Sequence, residues 1–347
     1  MRGFAVGLSM LTLGSIRSGL VRRVKAHLTG ELEAKVNDSL LLLGRMASWR
    51  VRSLEVISSL HDAEFKVFSQ WGEDGIIDWL IERANIPPHL HTFVEFGVEN
   101  YKEANTRFLL QNRNWRGLVM DGNPALTEFL KRDNVFWRHD LTAKVAFVTR
   151  ENINDLLVES GFLGEIGLLS VDLDGNDYWV WEAITAIRPL ICICEHNAVF
   201  GDVWPVSIPY DPGFVRTPPL LYFGASIAAL RSLAAKKGYR FLGTNSDAVN
   251  AFFVREDYAP RFEHALLNTV ALPSRFRESR DASWQNSYVG GLERFQLISG
   301  LPVVNTETGQ ALPLGQLAPV YSDDWLRRFA GAGSNENLAE EDRQRSH

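Results

Sequence analysis

Two runs constrain the fold of this chain most. "IGLLSVDLD", Ile166 to Asp174, and "PLICICEHN", Pro189 to Asn197, are almost continuously apolar and then turn abruptly polar. A strand with one wet face alternates apolar and polar residues, whereas a near-continuous run fits a central parallel strand covered on both faces. "HTFVEFG", "RGLVMDG" and the weaker "NVFWRHDL" read as strands before this pair, and "YRFLGTN" and "VNAFFVRED" as a closing antiparallel hairpin. Helical stretches fall between them, at about Ala104 to Gln111, Pro124 to Arg132, Arg150 to Ser160 and Trp179 to Ile187. "GASIAALRSLAAKKGY" is an amphipathic helix that Gly238 should end. This β-α-β-α rhythm predicts an α/β domain with a doubly wound, mostly parallel sheet.

Before the first strand, "FSQWGEDGIIDWLIERANIPPH" predicts a helix with Ser69 as N-cap, Glu73 and Asp74 in its first turn, and a stop at Pro87 and Pro88. Residues from about Val24 to Leu60 also read as helical, as one long helix or two stacked ones. The expected organisation is an N-terminal helical extension at 1–62, an α/β domain at 63–258, a C-terminal segment at 259–330 and a disordered tail at 331–347.

The net charge of -6 argues against a nucleic-acid binder. Cys192 and Cys194 lie two apart on one strand face, too close for a good disulfide and too few for a metal site. They read as buried thiols of a reducing, cytoplasmic compartment. "MRGFAVGLSMLTLGSI" is too short to span a bilayer, which takes about 20 apolar residues. With Arg17, Arg22, Arg23 and Lys25 behind it, the run suits a peripheral membrane contact or a frayed amphipathic helix. The helix after it could pair with a second copy of the chain.

In open α/β sheets, ligands bind beyond the carboxyl ends of the strands. On the expected strands those ends carry Glu95, Gly97, Glu99 and Asn100; Asp121; His139 and Asp140; Asp172, Asp174 and Asp177; and Glu195, His196 and Asn197. "EFGVEN" holds one glycine where a dinucleotide turn needs G-x-G-x-x-G; Glu99 and Lys102 fill the other two places. Acids beside that loop would repel phosphates. A phosphate-free ligand with a positive centre fits better, and S-adenosylmethionine is one.

"FVEFG", "LVMDGN", "HDL", "LLSVDLDGNDYWVWEAI", "ICEHN" and the hairpin, in that order, resemble a class I S-adenosylmethionine-dependent methyltransferase. "LLSVDLDGNDYWVWEAI", "SQWGEDGI" and "NAFFV" are similar to its FkbM-like group, found beside polysaccharide genes. The resemblance covers about Phe68 to Glu256. It implies the Rossmann-like methyltransferase fold, with a seven-stranded sheet. It places Glu95 and Gly97 beside the methionine moiety, Asp121 on the ribose, Asp140 near the adenine amine, and Asp172 facing the methyl group and acceptor. The implied reaction is O-methylation of a sugar or polysaccharide precursor. The family's first loop usually carries further glycines, and here Val98, Asn100 and Lys102 stand in that stretch.

A hydroxyl acceptor must lose its proton. Asp172 or His196 could take it, with His139 as a third candidate. A magnesium ion held by Asp172 and Glu195, with Asp174 or Asn197, could instead acidify the hydroxyl. Asp177 reads as the cap of the following helix. A calcium loop is excluded, because Asp177 and Ala183 stand where such a site wants glycine and glutamate. Two other readings stay open: a non-catalytic binding or scaffold subunit, and a metal-dependent hydrolase or transferase. Arg275, Arg277 and Arg280 are either contacts for an anionic acceptor or a solvated basic face.

Overall fold

The computed structural model describes residues 32, 35–274 and 279–328. The expectations for the apolar run at the N-terminus and its basic residues, for Arg275 and Arg277, and for the tail at 331–347 lie outside the described residues.

The central sheet has seven strands in the order β3-β2-β1-β4-β5-β8-β7. β1 (Thr92–Phe96), β2 (Arg116–Asp121), β3 (Leu141–Val145), β4 (Gly164–Val171) and β5 (Ile187–Glu195) run parallel. β8 (Asn250–Arg255) is antiparallel to both β5 and β7 (Tyr239–Thr244). This is the doubly wound sheet with an antiparallel C-terminal hairpin that the sequence predicted. The strand order reverses between β1 and β4, so the ligand crevice belongs at their carboxyl ends.

The apolar runs are continuous because neighbouring residues feed two different cores. Leu168, Ile191, Ile193 and Phe252 point into one core, which includes Trp79, Leu80 and Leu109. Leu169, Cys192, Cys194 and Phe253 point into the other, with Trp181, Leu230 and Leu233. Both cysteines are free and buried, on one face as expected. Helices α2 (Glu73–Ala84) and α3 (Arg107–Arg113) cover the first face; α6 (Ile153–Glu159), α7 (Asp177–Ala183) and α8 (Ile227–Lys237) cover the second. Gly238 ends α8 in the left-handed region, φ 80°, as predicted.

The third strand departs from expectation. "NVFWR" is not extended: Asn134–Arg138 forms α5, after α4 (Leu126–Lys131), with the Asp133 carboxylate accepting from Val135 N–H at 3.0 Å as its cap. The strand is "LTAKV", Leu141–Val145. As an edge strand with a half-exposed face it lacks the apolar run that marks a central strand. His139 and Asp140 therefore precede β3 rather than follow it.

Helix α2 also begins differently. Gly72, at φ 101°, occupies the N-cap position, not Ser69. Asp74 is fully buried, and its Oδ2 accepts from the N–H groups of Val67, Phe68 and Ser69 at 2.7–2.9 Å. Glu73 Oε1 accepts from Asn245 and Asn250 on the distant hairpin. The acids of "SQWGEDGI" thus fasten a loop and the turn of the C-terminal hairpin. Ahead of them, residues 35–52 form one helix, α1, which stops short of the expected Leu60.

After β8 comes α9 (Gly291–Ile298) and a small second sheet, β10-β9-β6, built from Ala311–Pro313, Pro302–Asn305 and Val206–Ser207. It ties the C-terminal segment to the loop after β5. Among the described residues, no helix is long and apolar enough to cross a membrane.

Candidate functional site

The turn after β4 sets the geometry. Asp174 lies at φ 53°, and Gly175 is required because a Cβ there would meet Phe214 Cδ1 at 2.3 Å. Asp177 does not cap α7 as expected. It is the first residue of that helix and reaches back, Oδ1 accepting from Leu173 N–H at 2.7 Å and Oδ2 from Gly175 N–H at 3.0 Å. Burial raises its pKa to about 7. Its role is to hold the turn that presents Asp172 and Asp174. Gly97, at φ 74°, closes the other side: a Cβ there would stand 1.6 Å from the Asp172 carbonyl oxygen.

Asp172, Asp174 and Glu195 bring one oxygen each within 4.8 Å of one another. Asp174 is exposed and takes an ion pair from Arg216 at 2.8 Å. No described group donates a hydrogen bond to Asp172, and Glu195 Oε2 is buried without a partner. Burial, then mutual repulsion among the acids, pushes the pKa of Asp172 and of Glu195 well above the ordinary carboxylate range. Burying charge unpaired is costly, and a cation among these oxygens would relieve that cost. The residues fit a divalent ion that prefers oxygen ligands.

His196 follows directly. Its Nδ1 lies 3.0 Å from the Val249 carbonyl oxygen, which can only accept, so Nδ1 carries the proton. Nε2 is left with a lone pair and no partner. Burial lowers the ring's pKa to about 4. Asn197 differs: its amide donates to Leu221 O and Phe223 O and its Oδ1 accepts from Val199 N–H, so it is structural rather than a spare ligand.

The first two strand ends are built another way. Glu95 is buried and accepts from Asn105 N–H at 2.8 Å, Thr106 N–H at 3.1 Å and Thr106 Oγ1 at 2.5 Å. Burial raises its pKa to about 7 despite these bonds. Asp121 Oδ2 accepts from Glu99 N–H at 2.7 Å and Oδ1 from Asn123 N–H at 2.6 Å. Each oxygen of Asp121 keeps a second lone pair, so the half-buried carboxylate can still take ribose hydroxyls. The acid at this place and the turn that only Gly97 allows fit S-adenosylmethionine.

One cavity of about 610 Å³ gathers Glu95, Gly97, Asp172, Asp174, Glu195 and His196 on its wall. Asp121 does not line it but binds Glu99, which does. Asp140 is elsewhere: its carbonyl accepts from Gly117 N–H at the start of β2, at the amino-terminal ends of the strands and away from the crevice. The expected adenine contact of Asp140 is thereby corrected, because β3 starts after this residue. His139 is displaced with it.

The sequence did not point to other wall residues. Gln70 and Trp71 come from the segment before α2, and Ser274 and Arg294 from the C-terminal segment. Arg216 also lies 3.9 Å from the Phe223 ring centroid. Trp71 stands within "SQWGEDGI", whose resemblance was the available signal. Nothing local marks Arg216, Ser274 or Arg294.

No protein-family model matches the chain, and no curated protein matches it. Among solved structures it is similar to an S-adenosylmethionine-dependent methyltransferase from Clostridium acetobutylicum ATCC 824, at TM-score 0.34 and 9% identity, over 54% of this chain and 92% of that one. It is similar to the CMeT domain of citrinin polyketide synthase at TM-score 0.35 and 14% identity, over 53% of this chain and 52% of that one. A Staphylococcus aureus protein named for caffeoyl-CoA O-methyltransferase aligns at TM-score 0.32 and 15% identity, over 67% of this chain and 99% of that one.

Proposed function

We propose that this chain is an S-adenosylmethionine-dependent O-methyltransferase of the FkbM-like group, acting with a divalent cation such as magnesium on a hydroxyl of a sugar or polysaccharide precursor. One observation carries the reading: at the switch point of this sheet, three carboxylates and a histidine with an unpartnered Nε2 meet on one cavity wall. When bound, the cofactor supplies a methyl group already activated on sulfur, and the cation acidifies the acceptor hydroxyl.

The chain's own residues then have positioning and a proton to manage. Asp121 holds the ribose. Asp172, Asp174 and Glu195 hold the cation. His196 Nε2 takes the hydroxyl proton, since its neutral form persists well below neutral pH. The polar cavity wall, with Gln70 and Asn105, suits a hydroxyl-rich acceptor.

A second reading, a non-catalytic binding subunit, draws on a separate observation. Glu99 N–H already occupies Asp121, in a loop with only one glycine. Calorimetry with S-adenosylmethionine and its demethylated product, with and without magnesium, separates the two. The methyltransferase reading expects binding that Asp121→Ala abolishes, and a magnesium effect that Asp172→Asn removes. Absence of binding at about millimolar ligand would sink it. Magnesium binding without cofactor binding would favour a metal-dependent hydrolase or transferase.

A further inference from the structure

Helix α1 docks on the body by one side only. Gly44, Ser48 and Val51 are buried there. Ser48 Oγ donates to Asp78 at 2.5 Å, and a Cβ on Gly44 would meet Val67 Cγ2 at 2.5 Å. The other side is apolar and uncovered among the described residues. Leu42, Leu43, Met46 and Trp49 lie there, with Val36 at the border; Leu42 is 60% exposed, Leu43 and Met46 each 61% and Trp49 77%. At 1.5 Å per residue this stripe runs about 20 Å.

Basic residues flank it. Lys35, Arg45 and Arg50 are exposed against one exposed acid, Asp38, and none of the three pairs with a described carboxylate. The surface continues beyond α1. Val36 shares the wall of a second cavity, about 640 Å³, with Phe129 and Arg132 of the α4–α5 region. Further along α5, Trp137 is 70% exposed beneath the Arg138 guanidinium, 5.0 Å from its ring centroid.

A second copy of the chain fits this face poorly. A heptad seam through Val36, Leu43 and Met46 would place Ser39 and Arg50 in the core and set basic side chains against each other. An anionic lipid surface fits all the observations. An in-plane amphipathic helix inserts its apolar side at the headgroup boundary, exposed tryptophans sit at that depth, and basic residues meet the lipid charge. We propose that the outer face of α1, with the adjoining α4–α5 edge, docks the protein on an anionic membrane surface. This rests on neither the cofactor nor the cation.

The test is co-sedimentation of the full chain with vesicles of phosphatidylcholine alone and with about a quarter phosphatidylglycerol. The expected result is binding to the anionic vesicles, weakened by salt. Loss of each of Lys35, Arg45 and Arg50 by substitution with Glu should weaken partitioning about fivefold or more. Leu43→Asp with Met46→Asp should abolish it; both positions are exposed, and an unchanged circular dichroism melt confirms that the variant folds. Three results would overturn the proposal. One is no binding to anionic vesicles. Another is binding that persists in the double variant, which would assign it to another part of the chain. The third is a dimer in sedimentation equilibrium, broken by the double variant, without vesicle binding.

Discussion

The strand ends of β1 and β2 and those of β4 and β5 carry the same kind of side chain to opposite ends. Glu95 has its oxygens occupied by two backbone amides and a threonine hydroxyl and so fastens a loop, while the half-buried Asp121 accepts one amide on each oxygen and keeps a lone pair on each for a ligand. Asp172 and Glu195 face each other with no donor, Asp174 being balanced by Arg216. A buried carboxylate with donors is structural; one without them lowers stability and persists where a ligand repays the cost. The neighbouring His196 follows the same rule, with one nitrogen held and the other left open.

Substitutions can break this comparison. The largest effect belongs to Asp172→Asn, which should reduce magnesium-dependent methyl transfer about a hundredfold or more while leaving urea stability unchanged or slightly higher. Lowered stability would show that the Asp172 carboxylate is structural after all. Glu95→Ala should do the reverse and destabilise the fold by about 3–5 kcal/mol, since three donors at Asn105 and Thr106 lose their acceptor. The milder Asp121→Ala, at a half-buried position, should cost about 1–2 kcal/mol in the same assay.

The pH dependence sharpens the contrast. The folded-state pKa values of Asp172 and Glu195 lie above their unfolded values. Their contribution to stability is therefore fully present below the ordinary carboxylate range and declines as pH rises toward the folded pKa. Magnesium should raise the melting temperature at neutral pH and leave it nearly unchanged near about pH 4, which thermal scans at two pH values would show. The smallest effect has the opposite sign. His196 titrates near 4 in the fold against an ordinary 6.5, so its contribution is present above 6.5 and is lost as pH falls toward 4. An NMR titration of the ring should show that low midpoint, and a midpoint near 6.5 would mean that water reaches both nitrogens.

Much of the architecture was legible in the chain. Central strands that feed two cores must be apolar at every position, so β4 and β5 announced themselves, and Gly238 marked the end of α8 by its backbone freedom. β3 did not, because an edge strand with a half-exposed face looks like any mixed segment, while the aromatics of "NVFWR" suggested a strand that forms elsewhere. That one shift moved Asp140 from the crevice to the amino-terminal ends of the strands.

Sequence by itself also determined which residue types could do chemistry: acids and a histidine at strand ends, with too few glycines for a dinucleotide. It could not separate them, because Asp172, Asp174 and Asp177 are alike in the chain. Only the tertiary structure decided that Asp177 binds the amides of its own turn, that Arg216 arrives from a later loop to neutralise Asp174, and that Asp172 meets Glu195 with no donor between them. The physical reason is that local pattern records burial and backbone preference, whereas a carboxylate's role depends on which donors reach it across tens of residues of chain.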